Sequence, residues 1–466
     1  MKMNYFSLIV LLLLACSGNE DELIKQNSNP DSIRIESISF DGKKVTIDWN
    51  DVDDNDGDVI YYKLFIDSEL IGEERIQSNG FVVLEYNNSY TGKIFATDKK
   101  GGVSEIEFQF ETLKSKILFF TDFSGVLTAF DLITNEVLWE SQSNSIEAHT
   151  AITNVVFEGV DGIIGLDLLS GETIWKSEPS NSNSQYYRNI ITDGEYVFAF
   201  GYGSDLHCVN FASKEKLWEL SFLDYYAQLS IDDSKVYVCS RNNDQLFAIN
   251  KISGNLEWGF SVDYSTSGAA RKINTNPLII DNDLFFGDNL GRFYSLNKET
   301  GNKNWSKIAT EPAYSFFASP TLYENSIIIG TYRTLFAFDK EDGSILWSYS
   351  PTANTIESSP FVYNGNVYFG ISSFGGGSGS LVCLNAETGI EKWRYNLEGG
   401  RVTCSPIVYE DKVYIGNWSS DFYVINASTG SLEMKIKTNN IITKSPIIVI
   451  GNSESIIYPS VHGLKD

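Results

Sequence analysis

Cysteine, histidine and methionine are scarce in this 466-residue chain, at five, three and three residues. His149, His207 and His462 lie far apart with no His-x-x-x-His or Cys-x-x-Cys spacing, so no zinc site is indicated. Cys208, Cys239, Cys383 and Cys404 are irregularly spaced, none adjoin, and each falls in or beside an apolar strand-like run. They read as buried free thiols, although an exported chain would permit disulfides. Cations are short too: 35 Lys and Arg face 61 Asp and Glu, a formal charge of −26. Such a surface repels phosphate backbones and anionic headgroups, which excludes nucleic acid as a partner and electrostatic docking to membranes. No stretch beyond Cys16 holds apolar residues at sustained helical spacing. A Gly-x-Ser-x-Gly elbow is missing. The glycine-rich run Phe374 to Ser380 carries no Lys and leads into no helix, so it reads as a hairpin tip rather than a phosphate cradle.

What is plentiful is aromatic and β-branched: Trp, Tyr and Phe make up 14% of the chain, a bias toward strands. The length predicts two or more domains. At the N-terminus Lys2 precedes an apolar run from Phe6 to Leu14, too short for a comfortable membrane span. Leu13-Leu14-Ala15-Cys16 resembles the lipobox of bacterial lipoproteins, which implies a signal peptide over 1–15 and acylation of Cys16. Ser17 to Glu22 resembles the acidic export signal of Bacteroidetes surface lipoproteins, and residues 16–31 are expected to be a flexible tether. These features imply an outer-membrane lipoprotein of the bacterial envelope, with its periplasmic or extracellular face left open.

Residues 32–112 read as a small all-β module. Val45, Ile47 and Trp49 alternate with polar partners, as do Ile60, Tyr62, Leu64 and Ile66. Trp49, the Leu84–Tyr90 spacing, and Ala96-Thr97-Asp98 before Gly102-Val103-Ser104 resemble a fibronectin type III domain, whose tyrosine corner bonds a phenol to upstream backbone. The acidic loop Asp51 to Asp58 invites a calcium reading, but Asp56 stands where an EF-hand-like loop needs Gly and Tyr62 where it needs Glu. An acidic turn between strands is the expectation.

From 115 to 466 the chain repeats itself. Each unit ends a strand in Asn or Asp, passes through a turn that is often Thr-Gly or Ser-Gly, and arrives at Trp: Trp139, Trp175, Trp218, Trp258, Trp305, Trp347 and Trp393. An eighth copy, Ile425-Asn426 onward, places Met434 where Trp is expected. Successive markers lie 36, 43, 40, 47, 42, 46 and 41 residues apart, a period that means propeller blades of four short strands. The Asn or Asp is expected to bond its own backbone, Gly to supply positive φ, and Trp to dock on the neighbouring blade. Asn276-Pro277, Ser319-Pro320, Ser359-Pro360, Ser405-Pro406 and Ser445-Pro446 mark inner strands, with Pro expected as the first strand residue. The first copy lacks an inner strand and the C-terminus has one to spare, which predicts an all-β ring of eight blades (seven if the Met434 copy is degenerate) closed by both ends.

These motifs resemble the PQQ-like repeat family. Its quinoprotein alcohol dehydrogenases set a vicinal disulfide against the quinone and hold Ca²⁺ and a catalytic Asp on long loops; the non-adjacent cysteines and short loops here match none of this. With its lipobox, tether and compact repeats, the chain resembles the lipid-anchored, BamB-like propellers of that family. That resemblance implies a non-catalytic scaffold for envelope or outer-membrane proteins, with no small-molecule cofactor. A surface lipoprotein binding glycans or proteins, and a quinone-dependent dehydrogenase, are the alternatives.

Overall fold

The computed structural model describes residues 27–142, 151–152, 155–158, 162–177, 187–201, 205–221, 228–240, 244–262, 272–309, 314–352, 354–452 and 455–458. The signal peptide, Cys16, His149 and His462 lie outside these residues. The chain divides into two compact units between Leu113 and Lys114, and every regular element described is a strand. No helix among the described residues is long and apolar enough to cross a membrane.

The first unit packs two sheets. One joins Ile35–Asp41, Lys44–Trp49 and Asn79–Val83; the other joins Glu69–Leu70, Tyr61–Ile66, Ser89–Thr97 and Val103–Glu111. The alternating positions Val45, Ile47 and Trp49 meet Tyr62, Leu64 and Ile94 in one core, and Trp49 stands edge-on to Tyr62. The Tyr90 hydroxyl accepts the Glu85 N–H at 3.3 Å. Within the acidic loop, Asp56 accepts from the Ser28 backbone and hydroxyl, Asp54 from the Asp56 N–H, and Asp58 pairs with Lys100. Asn27 likewise donates to Asp98, and Asn29 accepts from Val103. Residues 27–29, expected to be tether, are therefore bound to this module, because their polar side chains satisfy its turn carboxylate and strand N–H groups.

In the second unit the described residues form eight antiparallel sheets. Seven follow the chain in order, and the remaining one is assembled from both ends: Lys116–Thr121 pairs with Ile447–Ile450, so Ile447 faces Phe119 and Val449 faces Ile117. The Met434 copy is a complete four-stranded sheet. Each successive pair of sheets shares one apolar cluster, and the last packs on the first, with Phe120 and Phe422 stacked at 4.6 Å.

The turn chemistry recurs with little variation. In all eight repeats the side-chain oxygen of Asp131, Asp167, Asn210, Asn250, Asn297, Asp339, Asn385 or Asn426 accepts an N–H two or three residues on. The residue four positions on donates to the same residue's carbonyl at 2.9 Å and adopts positive φ. Directly after the turn the outer strand carries a bulge one residue before each Trp and before Met434. Bulges re-aim a side chain, and this one directs the ring toward the next sheet.

The five prolines sit one residue before their strands, which begin at Leu278, Thr321, Phe361, Ile407 and Ile447. The preceding residues explain the offset. The N–H groups of Asn276, Ser319, Ser359 and Ser405 donate to the hydroxyls of Ser319, Ser359, Ser405 and Ser445, each in the next sheet, at 3.2, 2.9, 2.9 and 2.7 Å. A ladder of hydrogen bonds thus ties five inner strands together. Ser359→Ala leaves the Ser319 N–H without its acceptor and is expected to lower stability by about 1–3 kcal/mol. An unchanged urea midpoint would show the ladder to be energetically idle.

Candidate functional site

The repeated tryptophan is the most elaborated local structure in the chain. All seven indole N–H groups donate to a carbonyl in the following sheet: Trp139 to Leu168, Trp175 to Phe211, Trp218 to Lys251, Trp258 to Lys298, Trp305 to Lys340, Trp347 to Ala386 and Trp393 to Ala427, at 2.7 to 3.2 Å. Trp175 is buried and the other six rings are half-buried. Beneath six of the rings lies the turn glycine of the next sheet; a Cβ on Gly389 would stand 2.6 Å from the Trp347 ring. Glycine is needed there for space as well as for φ, a requirement invisible in the sequence.

Opposite each Trp across its hairpin stands a small residue: Ala129, Gly165, Cys208, Ala248, Ser295, Ala337 or Cys383. Two of the four cysteines therefore occupy a small-side-chain position of the repeat. All four are free and buried, and burial pushes the thiols of Cys208 and Cys404 up to about 12 and that of Cys383 to about 11. They are held as inert thiols, one to a strand or loop, and do not supply the adjacent sulfur pair that a quinone would rest against.

Three of the carbonyl acceptors have a second task. Lys251, Lys298 and Lys340 reach back to Asp193, Asp232 and Asp281 of the preceding sheet, at 2.6, 3.5 and 3.8 Å. Part of the acidic excess is thus spent between sheets. On the outer strands Val137, Ile174, Leu217, Leu256, Ile308, Leu346 and Leu432 are left 43–60% exposed, so seven of the eight sheets carry such a side chain. Single exposed apolar side chains are ordinary on a protein surface, and it is their recurrence along the outer strands that offers apolar area for contact.

Sequence spacing excluded a metal-ligating set, but tertiary pairing makes one cluster of suitable atoms among the described residues. Asp205, His207 and Glu219 bring their ligand atoms within 4.8 Å of one another. The cause is register: His207 faces Glu219 across the hairpin, and Asp205 lies two residues along the same face. Glu219 is paired with Lys216, so a cation entering here would have to displace an ammonium. His207 is 2% exposed, and its burial depresses its pKa against the opposing pull of Glu219 at 4.0 Å. As pH falls below about 6.5 the unfolded chain takes up the His207 proton first, so this group's contribution to stability is full above that pH and declines through the folded pKa. The thermal midpoint of His207→Gln is expected to respond less to a pH change from 7 to 5 than that of the parent; parallel slopes would refute this role.

A cyclic series of antiparallel sheets locked by tryptophan defines a β-propeller of PQQ-like repeats. The family model described as "Outer membrane protein assembly factor BamB" (PQQ_2) matches residues 160–321, 203–370 and 317–449, and the chain belongs to that family. BamB from Moraxella catarrhalis superposes with a TM-score of 0.52 at 15% identity, covering 67% of this chain and 91% of that one. Quinohemoprotein alcohol dehydrogenase from Comamonas testosteroni gives a TM-score of 0.52 at 12% identity, covering 66% and 71%. At these identities both show the fold alone. Quinoprotein alcohol dehydrogenase PedH of Pseudomonas putida is 26% identical over 179 residues, 34% of this chain and 30% of that protein. The match thus spans under a third of that relative's length.

Proposed function

We propose that this chain is a lipid-anchored envelope protein, acylated at Cys16, whose eight-bladed propeller is a non-catalytic platform for other envelope proteins. Residues 32–112 serve as a fibronectin type III-like spacer between anchor and ring. The family match over residues 160–449 carries this reading. It is supported by the rim of exposed apolar residues on the outer strands and by four thiols separated as structural residues. The two-sheet module with its Tyr90–Glu85 contact supports the spacer, and eight sheets packed in cyclic order support the blade count.

Cross-linking in native membranes followed by identification of the captured proteins tests the platform. Recovery of β-barrel assembly components is the expected result, and a capture empty of envelope proteins would overturn it. The dehydrogenase alternative draws on the PedH likeness. Tight binding of pyrroloquinoline quinone with calcium and reduction of an acceptor dye would favour it instead. Protease treatment of whole cells against lysed cells distinguishes the extracellular from the periplasmic face.

A further inference from the structure

One end of the propeller carries a cleft that neither its packing nor the scaffold reading uses. It is formed where strand ends and loops of three consecutive sheets converge: Tyr332 from the first, Thr355, Glu357, Ser373 and the tip glycines Gly375 and Gly376 from the second, and Arg401 and Trp418 from the third. Its volume is about 340 Å³, near the lower end of the roughly 300–1,000 Å³ typical of small-ligand sites. That is room for one or two sugar rings, not for a folded partner.

Trp418 is the only tryptophan outside the docking series in this unit, and it is 39% exposed. Its indole N–H is pinned by the Thr403 hydroxyl at 2.9 Å, and the Arg401 guanidinium lies 5.4 Å from its ring centroid. Arg401 in turn grips Glu357 with two donors, Nε to Oε1 at 3.1 Å and Nη2 to Oε2. The Thr355 hydroxyl donates to the same carboxylate at 3.2 Å. Of the two tip glycines that line the cleft, Gly375 has open space around its Cβ position and Gly376 meets only the Arg401 side chain at 3.9 Å, while the positive φ of both suits the turn.

We infer that this cleft binds a neutral sugar of a glycan. A pyranose presents a flat C–H face, which suits the fixed indole, and a row of vicinal hydroxyls, which suit planar groups that accept and donate in pairs. Glu357 supplies the acceptors and Arg401 the donors, and their mutual pairing holds both planes in place before a ligand arrives. The same pairing cancels the arginine charge, which disfavours a phosphate or carboxylate ligand, and the lining hydroxyls disfavour an apolar one. The bare glycine tip lets a ring approach the backbone closely.

The test runs the full-length chain, in detergent, through native gels cast with xylan, glucomannan, amylopectin or laminarin, and with polygalacturonate as the anionic arm. Retardation in at least one neutral gel is expected, weakened about tenfold or more in Trp418→Ala and in Glu357→Gln, the second keeping side-chain shape should the first misfold. No retardation in any neutral gel, retardation by polygalacturonate alone, or equal retardation of parent and both variants would overturn it. Cross-linking to an envelope partner is read separately, so this site and the scaffold reading stand or fall independently.

Discussion

Removal of residues 445–466 is expected to abolish cooperative folding of the propeller, although every tryptophan repeat remains in the chain. The lost strand, Ile447–Ile450, contributes Ile447, Ile448 and Val449, all at most 1% exposed. At about 1.5–3 kcal/mol for each fully buried apolar side chain, the loss is roughly 4–9 kcal/mol, comparable with the whole ~5–15 kcal/mol stability of a typical domain. The deletion also uncovers Lys116–Thr121 as a hydrophobic edge and removes the Ser445 hydroxyl that accepts the Ser405 N–H. Calorimetry of the shortened chain should show a broad, low transition or aggregation. A single transition at the parental midpoint would mean the ring needs no closing strand.

The second large effect concerns one docking pair. Trp347→Ala deletes a half-buried ring and its bond to Ala386, with an expected loss of about 2–4 kcal/mol, somewhat below the ~3–5 kcal/mol of a fully buried tryptophan. Gly389→Ala attacks the same pair from the other side. Its Cβ would stand 2.6 Å from the ring at a φ of +69°, so backbone strain and overpacking together cost about 2–4 kcal/mol. Combined, the changes should be less damaging than their sum by about 1–3 kcal/mol, because removing the ring removes the clash. Additive losses would show that ring and glycine act separately. The chain holds two natural departures. Lys214 occupies the glycine position with φ +64°, and there Trp175 stacks on the Phe211 ring at 5.8 Å. Asn135 occupies it at φ +59° in the sheet that follows the Met434 copy, where no indole presses on the turn.

Local chemistry explains why so much of this was legible beforehand. The Asx turns, the tryptophan period and the surplus C-terminal strand depend on residues close in the chain, and each repeat states them again. The bulge before Trp was not legible, because a two-for-one register follows from fitting an indole against the next sheet rather than from any residue type. The small residues facing Trp were present in the sequence as Ala, Gly, Cys and Ser, but only the hairpin register reveals their common purpose. It also turns Cys208 and Cys383 from irregularly spaced thiols into repeat residues. His207 and Glu219 are twelve residues apart, a distance that has no meaning until the turn at Asn210 places them opposite one another.

The sequence by itself determined that this is a chain of all-β repeats joined by hydrogen-bonded turns, since turn residues and strand periodicity act over a few positions. Tertiary structure alone decided how the repeats lock: which carbonyl receives each indole, which hydroxyl receives each inner-strand N–H, and where Trp418, Arg401 and Glu357 meet. Apart from the Arg401–Trp418 contact, those pairs lie about 30 to 45 positions apart in neighbouring sheets. Their partners are set by the rotation from one sheet to the next, a property of the closed ring that no single repeat contains.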